Sequence, residues 1–272
     1  MARRLTLVAG AGDLVPYLAR AMRRHGVPLQ VVDIVDRGDI VGDEVVRRGL
    51  DAAGEVIEAI RAFRPSHLVL AGGVYISDEQ RQAIAKAFGL GGRLAGGLGD
   101  IGLAGMILVF CKANRIKLVG AHEVAPELLA TAGSIAGPPL DRATEELAEH
   151  AVKVARAIGS IDLGQSVVLA GRRPIAAEDA SGTDALLRRV ADPHSGLKAA
   201  DGRLLILGKA RKPKQPHFVD LPAIGPDTIV NAAAAGIRLI AVQAGATLVL
   251  ERDRLVERAN ELGIAVFGVR HG

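Results

Sequence analysis

The chain opens with Leu5-Thr-Leu-Val-Ala9, the turn Gly10-Ala-Gly12 and a segment of helical spacing from Leu14 to His25. A short apolar run that ends in glycines and leads into an amphipathic segment is typical of a strand, a turn and a helix. The alternation recurs up to about residue 130, with further strands predicted at 29–35, 67–71 and 116–119. Because each helix carries the chain back across a sheet face, such strands run parallel. We therefore predict an open, Rossmann-like parallel α/β sheet.

The second half has a different sequence pattern, which predicts an α/β domain with a mixed sheet. Two apolar runs flank Gly171-Arg-Arg173, which is typical of a hairpin over 166–177. Further strands are predicted at 204–207, 239–242, 247–250 and 265–269. Between the halves, residues 131–139 carry no charge but two glycines and two prolines, as linkers do. We predict domains at 1–130 and 141–272, joined by a linker at 131–140.

Composition restricts the class of protein. Hydrophobic residues make up 49% and charged residues 24%, which excludes a disordered chain. The aromatic residues, five Phe and two Tyr, argue against a stacking platform for nucleic acid. A single cysteine excludes a disulfide framework and predicts a reducing, cytoplasmic setting. The net charge of +4 is compatible with phosphate-bearing ligands or an anionic membrane surface.

Glycines and a histidine follow the predicted strands of the first half. Gly10 and Gly12 form a turn before a helix, a generic cradle for anions. The third glycine of the dinucleotide fingerprint would fall at Val15, although Asp33 has the spacing of its acidic residue. A nucleotide-dependent oxidoreductase stays open on this motif alone. His122 follows another strand, at the edge where open sheets bind ligands.

Two segments of the second half concentrate charge. Glu178-Asp-Ala-Ser-Gly-Thr-Asp184 offers three carboxylates and two hydroxyls, which suit Mg²⁺ and a phosphate at a helix N-terminus. A capping loop is the alternative, but it would use only one acid and one hydroxyl. Lys209-Ala-Arg-Lys-Pro-Lys214 adds four cations, which suit an anionic ligand or a solvated loop.

The most informative stretch is Asp220-Leu-Pro-Ala-Ile-Gly-Pro-Asp-Thr228. Two carboxylates flank an apolar turn that proline and glycine stiffen, and Asp227 lies where a helix begins. Rigid loops with paired acids can fix a metal ion or a general base. A helix cap at Asp227 and Thr228 is the alternative, and it leaves Asp220 unexplained.

Four motifs of the second half together resemble the LpxI family. They are Glu-x-x-x-Gly-Thr-Asp-Ala (178–185), Lys-Pro-x-Gln (212–215), Asp-Leu-Pro-x-Ile-Gly-Pro-Asp-Thr (220–228) and Ala-Gly-x-Thr-Leu (244–248). The third motif is long enough to be specific. The chain departs from the family pattern at Pro216 and Phe218, where an acidic residue and an arginine are expected.

The resemblance implies a Mg²⁺-dependent hydrolase of lipid A biosynthesis. It would cleave the pyrophosphate of UDP-2,3-diacylglucosamine to UMP and 2,3-diacylglucosamine 1-phosphate (lipid X). Asp220 and Asp227 would be catalytic and, with Glu178 and Asp184, would hold the metal. The substrate-binding residues would be Gly10, Gly12, His122, Gly182, Thr183, Lys209, Lys212, Gln215 and Thr228.

The implied lipid substrate also predicts a place in the cell. The protein would work in the cytoplasm, peripheral to the inner membrane, where its cationic surplus favours anionic lipid. A homodimer is a further expectation from the family, and no nucleic acid partner is expected. The departures at Pro216 and Phe218 leave one alternative, a non-catalytic relative that binds nucleotide sugars or lipids.

Overall fold

The computed structural model describes residues 3–12, 14–89, 100–179, 181–197, 202–213 and 221–270. These residues divide into two compact units, of which the first ends at Ala125 and the second begins at Pro126. No helix in the described ranges is both long enough and apolar enough to cross a bilayer.

A parallel sheet of five strands forms the first unit, as the sequence predicts. Its strands are β1 (Leu5–Ala9), β2 (Leu29–Asp33), β3 (Glu44–Arg47), β4 (His67–Ala71) and β5 (Lys117–Val119). Its helices are α1 (Leu14–Arg24), α2 (Ala53–Phe63), α3 (Asp78–Ala87), α4 (Asp100–Ala113) and α5 (Ala121–Val124). The spatial order is β3-β2-β1-β4-β5. The order therefore reverses beside β1, and the crevice beyond the carboxyl ends of β1 and β4 is where open sheets bind ligands.

The inner strands of this sheet are apolar because helices cover them. β1 and β2 are almost entirely buried, as near-continuous hydrophobic runs in parallel sheets are. The edge strand β3 was not predicted, since its four residues are exposed or only half-buried. Ser77 caps the N-terminus of α3, because its hydroxyl accepts the Gln80 N–H.

A mixed sheet of six strands forms the second unit, in the order β6-β13-β11-β9-β7-β8. Its strands are β6 (Gly133–Ala136), β7 (Ser166–Ala170), β8 (Arg173–Ala177), β9 (Leu205–Lys209), β11 (Leu239–Gln243) and β13 (Ala265–Val269). The short strands β10 (Ala223–Ile224) and β12 (Leu248–Val249) pair separately. The helices are α6 (Arg142–Ser160), α7 (Gly182–Ala191), α8 (Pro226–Ala234) and α9 (Arg252–Leu262).

The segment 131–140, predicted as a linker, contributes β6 to this second sheet. β6 pairs antiparallel with β13. Its small, uncharged residues gave no strand pattern, because here the pairing comes from the backbone and not from an apolar face. After this segment, Asp141 caps α6, since its carboxylate accepts the Thr144 N–H at 2.8 Å.

Helix α6 lies very close to β9, which fixes the end of that strand. A Cβ atom on Gly208 would come within 2.5 Å of the Ala151 carbonyl oxygen, so only glycine fits there. On the other face, α7, α8 and α9 bury Leu187, Ile229 and Leu255 completely. Close packing of helices on both faces of the sheet therefore holds the carboxyl ends of β9 and β11 rigidly.

Candidate active site

Four polar side chains meet where β8 ends, α7 begins and β9 ends; we call them the Thr183 cluster (Ser166, Glu178, Thr183 and Lys209). Lys209 Nζ donates to Thr183 Oγ1 at 2.8 Å, and Thr183 Oγ1 donates to Glu178 Oε1 at 3.3 Å. Ser166 Oγ lies 3.0 Å from the same hydroxyl. A hydroxyl has one donor and two acceptor positions, so these contacts saturate Thr183.

The strands bring these residues together from distant parts of the chain. In the antiparallel pair β7–β9, Ser166 lies opposite Lys209. Glu178 follows β8, and its second carboxylate oxygen accepts the Gln165 N–H at 3.0 Å. Both Glu178 oxygens therefore accept hydrogen bonds from protein groups, and Glu178 orients Thr183.

Lys209 is a buried cation, with 7% of its surface exposed. Burial lowers the pKa of Lys209, and the nearby carboxylates of Glu178 and Asp184 counteract this only in part. Within the described ranges, Thr183 is its one recorded hydrogen-bond partner and no carboxylate lies at ion-pair distance. An ammonium has three N–H donors, so this arrangement suits an anionic ligand with oxygen acceptors.

The first turn of α7 contacts the second turn of α8. Asn231 Nδ2 on α8 donates to Asp184 Oδ1 on α7 at 3.1 Å. Asp227 precedes Asn231 by one helical turn and so lies on the same face of α8. The carboxylates of Asp184 and Asp227 are both exposed. Each of these two predicted acids thus lies in the first turn of a helix, where the helix dipole favours negative charge, and the two helices contact each other through Asp184 and Asn231.

The remaining predicted residues of the second unit lie in several places. Gly182 begins α7 with a positive φ of 83°. Thr228 Oγ1 accepts the Gly225 N–H at 3.2 Å, which is the helix cap weighed as an alternative. Lys212 Nζ lies 2.6 Å from Asp162 Oδ1 and so reaches the end of α6. Gln215 and Asp220 lie outside the described residues.

In the first unit, the predicted glycines form a turn at the carboxyl edge of the sheet. A Cβ on Gly10 would lie 2.7 Å from the Gly73 carbonyl oxygen, so packing of two turns already requires glycine there. Gly12 has a φ of 103° and open space around it. Arg37 donates to the carbonyl oxygens of Gly10 and Gly12 at 3.2 and 2.8 Å. His122 lies on α5, beyond β5 at the same edge.

Asp33, the acidic residue of the dinucleotide pattern, already accepts hydrogen bonds from groups within the protein. Asp33 is 1% exposed, and its carboxylate accepts the Arg37 N–H at 2.7 Å and the Val35 N–H at 3.3 Å. The Arg47 guanidinium lies 3.7 Å away. These contacts account for Asp33 without a ribose.

An apolar cavity of 260 Å³ opens at the carboxyl edge of the first sheet. Side chains and backbone from β1, β4, α3 and α4 surround it, and its lining includes Val8, Leu70, Val74, Ile76, Ile84 and Ile107. None of the described residues that line it is charged. The cavity therefore suits a hydrocarbon group.

The carboxylates present fit Mg²⁺ by their chemistry. In the described ranges, no three His, Cys, Asp or Glu side chains stand close enough to form a metal site. Mg²⁺ commonly takes one or two carboxylates and completes its shell with water and substrate phosphate. The exposed pair Asp184 and Asp227 suits that mode, whereas Glu178 would have to give up its hydrogen bonds.

Sequence reasoning missed three polar residues near these groups. Asn231 follows Asp227 by four positions, so helical spacing alone indicates the shared face. Ser166 begins a strand that otherwise looks purely apolar, and nothing in its local sequence marks it. Gln243 ends β11 beside β9, and its side chain accepts the Arg211 N–H at 3.2 Å. The rule that ligands bind at strand carboxyl ends would have found Gln243.

Comparisons with known proteins identify the family to which the chain is similar. The family model of the LpxI C-terminal domain matches residues 131–267. A relative from Caulobacter vibrioides, named UDP-2,3-diacylglucosamine pyrophosphatase LpxI, is 34% identical over 98% of this chain and 98% of its own length. The four motifs of the second half lie within these matches.

Two solved structures are similar to part of the chain. The Bordetella bronchiseptica enzyme WbmG in complex with NAD and UDP is 22% identical with a TM-score of 0.25, over 32% of this chain and 34% of that one. WbmH in complex with NAD+ is 12% identical with a TM-score of 0.27, over 43% and 37%. At such scores neither bears on fold or function. The family model and the nearly full-length relative agree with the motifs: the chain belongs to the LpxI family.

Proposed function

We propose that the protein hydrolyses the pyrophosphate bond of UDP-2,3-diacylglucosamine, as the name of its Caulobacter relative states for that protein. The products would be UMP and 2,3-diacylglucosamine 1-phosphate, in the biosynthesis of lipid A. The observation that carries the proposal is the buried ammonium of Lys209 beside the N-terminus of α7. A buried cation without a carboxylate at ion-pair distance in the described ranges is costly unless an anion joins it.

The pyrophosphate would bind at this ammonium. Thr183 holds Lys209 in place, and the backbone N–H groups at the start of α7 add donors for phosphate oxygens. Glu178 and Ser166 fix the Thr183 hydroxyl and are positioning residues. This arrangement holds the oxygens that do not react, so that water can approach one phosphorus in line.

Asp227 and Asp184 would act on the attacking water and on the phosphate group that it attacks. Water adds to phosphorus, the bond to the bridging oxygen breaks, and Asp227 accepts the proton of the water. We include Mg²⁺ in the proposal, held by Asp184 and Asp227, with Asp220 as a further candidate. When bound, the ion neutralises phosphate charge and lowers the pKa of a coordinated water.

The first unit contains an apolar cavity, which supports a lipid as the class of substrate. Its volume of 260 Å³ and its uncharged lining suit part of an acyl chain. Contact with the cytoplasmic surface of the inner membrane belongs to the same proposal, because the substrate is a lipid. The net charge of +4 supports that contact.

The test is UMP release from UDP-2,3-diacylglucosamine by the purified protein, with Mg²⁺ and with a chelator. Asp227→Asn is expected to lower kcat by about a hundredfold or more. Asp253→Asn is the matched control, since Asp253 is also an exposed aspartate at the second position of a helix. Both changes weaken a helix N-terminus equally, so only a role in the reaction separates them.

Each outcome has a definite meaning. Equal turnover in the two variants would remove Asp227 from the site. Turnover that persists in the chelator would remove the metal ion from the proposal. Substrate binding by calorimetry without any UMP release would favour the non-catalytic relative.

A further inference from the structure

A second, cationic cavity lies at the opposite edge of the first sheet, where β1, β4 and β5 begin. Its volume is 750 Å³, and its lining includes Arg4, Arg61, Arg64, Arg115, Ser66 and Asn114. No acidic side chain is among the described residues that line it. We call it the arginine cavity.

Aromatic rings, and not carboxylates, hold two of these arginines. The Arg4 guanidinium lies 4.1 Å from the centre of the Phe63 ring, and its Nε donates to the Phe63 carbonyl oxygen at 2.9 Å. The Arg61 guanidinium lies 5.7 Å from the centre of the Phe110 ring. In the described part of the chain, none of the four arginines is recorded in an ion pair. The positive charge of these four arginines is therefore available to a ligand.

The backbone at two of the arginines is also unusual. Arg64 and Arg115 have φ values of 52° and 59°, in the left-handed region. Both follow a helix, at a position where glycine is the usual residue because it carries no strain there. Residues whose backbone is held in a strained conformation cluster at binding and active sites. The chain thus retains two cationic side chains at positions where glycine would be easier.

Helix stabilisation explains only part of this arrangement. Cations near a helix C-terminus are favourable, which covers Arg61 and Arg64 at the end of α2 and Arg115 just beyond the end of α4. It does not cover Arg4, which precedes β1 and belongs to no helix. It also gives no reason for a concave surface between the ends of α2 and α4.

We propose that the arginine cavity binds a phosphate-bearing anion. The planar guanidinium offers paired donors that match two phosphate oxygens, and several guanidinium groups facing one hollow suit a headgroup or a free phosphate compound. The cavity and the Gly10–Gly12 turn lie at opposite ends of β1. None of its lining residues belongs to the Thr183 cluster or to the acids proposed for the hydrolysis.

The test uses the variant Arg64→Gly/Arg115→Gly. Glycine suits both backbone conformations, so the variant is expected to fold and to unfold at an equal or higher temperature. Arg61→Gln, a change on an exposed helix position, serves as a second variant without any backbone effect. The control Arg173→Gln/Arg188→Gln removes the same charge from exposed positions of the second unit.

Two binding arms distinguish the source of the phosphate. Calorimetry with inorganic pyrophosphate is done on a Lys209→Met background, because that change removes the ammonium proposed above to bind pyrophosphate. One site is expected on this background, and the double glycine change is expected to abolish it. Sedimentation with vesicles of phosphatidylglycerol and phosphatidylcholine is expected to show about thirtyfold weaker partitioning of that variant. Vesicles of phosphatidylcholine alone give the neutral reference.

Loss in the pyrophosphate arm supports a free phosphate compound, and loss in the vesicle arm alone supports a lipid headgroup. Equal binding by wild type and variant in both arms would overturn the proposal. So would an equal loss in the control, because net charge alone would then explain it. None of these readouts needs turnover, so a failed hydrolysis assay leaves them unaffected.

Discussion

Replacement of Lys209 by methionine separates a ligand-binding role of this buried cation from a structural one. Methionine keeps most of the volume and the flexible stem, and it removes the ammonium that donates to Thr183 Oγ1. We expect the Lys209→Met variant to fold and to bind Mg²⁺, and to lose most of its UMP release. A purely structural lysine would give the opposite pattern.

The magnitude follows from two opposing contributions. Loss of a hydrogen bond from a charged donor costs about 1.5–3 kcal/mol. Removal of a buried ammonium that is 7% exposed gives back a desolvation cost of similar size. The free energy of unfolding should therefore change by less than about 1.5 kcal/mol at pH 7. A preorganised donor to a phosphate in the transition state contributes about 2.7–4 kcal/mol, so kcat should fall by about 10²–10³.

The pH dependence of stability gives an independent check. Since burial lowers the pKa of Lys209, the unfolded chain binds the proton more tightly than the folded one. The free energy of unfolding of the wild type should therefore rise as the pH increases from the folded pKa of Lys209 towards the unfolded value near 10.5. The methionine variant should lack this rise.

The assay combines urea unfolding at several pH values with steady-state UMP release. Lys153→Met, the same replacement at an exposed position of α6 in the same unit, controls for the handling of the variants. A variant that unfolds several kcal/mol more easily, with unchanged turnover in its folded fraction, would refute the assigned role. If the free energy of unfolding depended on pH in the same way in wild type and variant, the assignment of a buried charge to Lys209 would be refuted.

Three further changes test the structure around these groups. Gly208→Ala should lower the free energy of unfolding by about 1–3 kcal/mol in urea titrations, because the new Cβ meets the Ala151 carbonyl; no change would mean that α6 can shift. Thr183→Val should lower kcat about tenfold to a hundredfold and should also lower the melting temperature, because the buried Lys209 ammonium loses the hydroxyl that accepts its hydrogen bond; unaltered kcat would contradict this. Arg37→Met should lower the melting temperature, since the Gly12 carbonyl loses a donor worth about 1.5–3 kcal/mol; calorimetry checks this, and an unchanged transition would show that the turn holds itself.

Much of the fold could be predicted from local patterns. β1, β4 and β13 were predicted to the residue, because each is a mostly apolar run that a turn or a loop bounds. The strands that were missed lack this feature: β3 is short and solvent-facing, and β6 is built from small residues in a segment rich in glycine and proline. Such strands depend on the backbone of a neighbour, which no local pattern records.

The candidate site was predictable in its residues and not in its connections. Glu178, Thr183 and Lys209 were all proposed as ligand-contacting groups from their motifs. That Thr183 joins the other two depends on the pairing of β7 with β9, since Ser166 is placed opposite Lys209 by register. A spacing of 26 residues between Thr183 and Lys209 carries no such information.

The outer strand β8 has a consequence for self-association. Strand addition needs a row of backbone donors on the open side, but Pro174 has no N–H and cannot take part in such a ladder. Two copies of this edge laid antiparallel would also bring exposed arginines, Arg173 among them, against each other. Growth of a continuous intermolecular sheet is therefore blocked on this side, and a pair of molecules meeting there would have to associate through side chains.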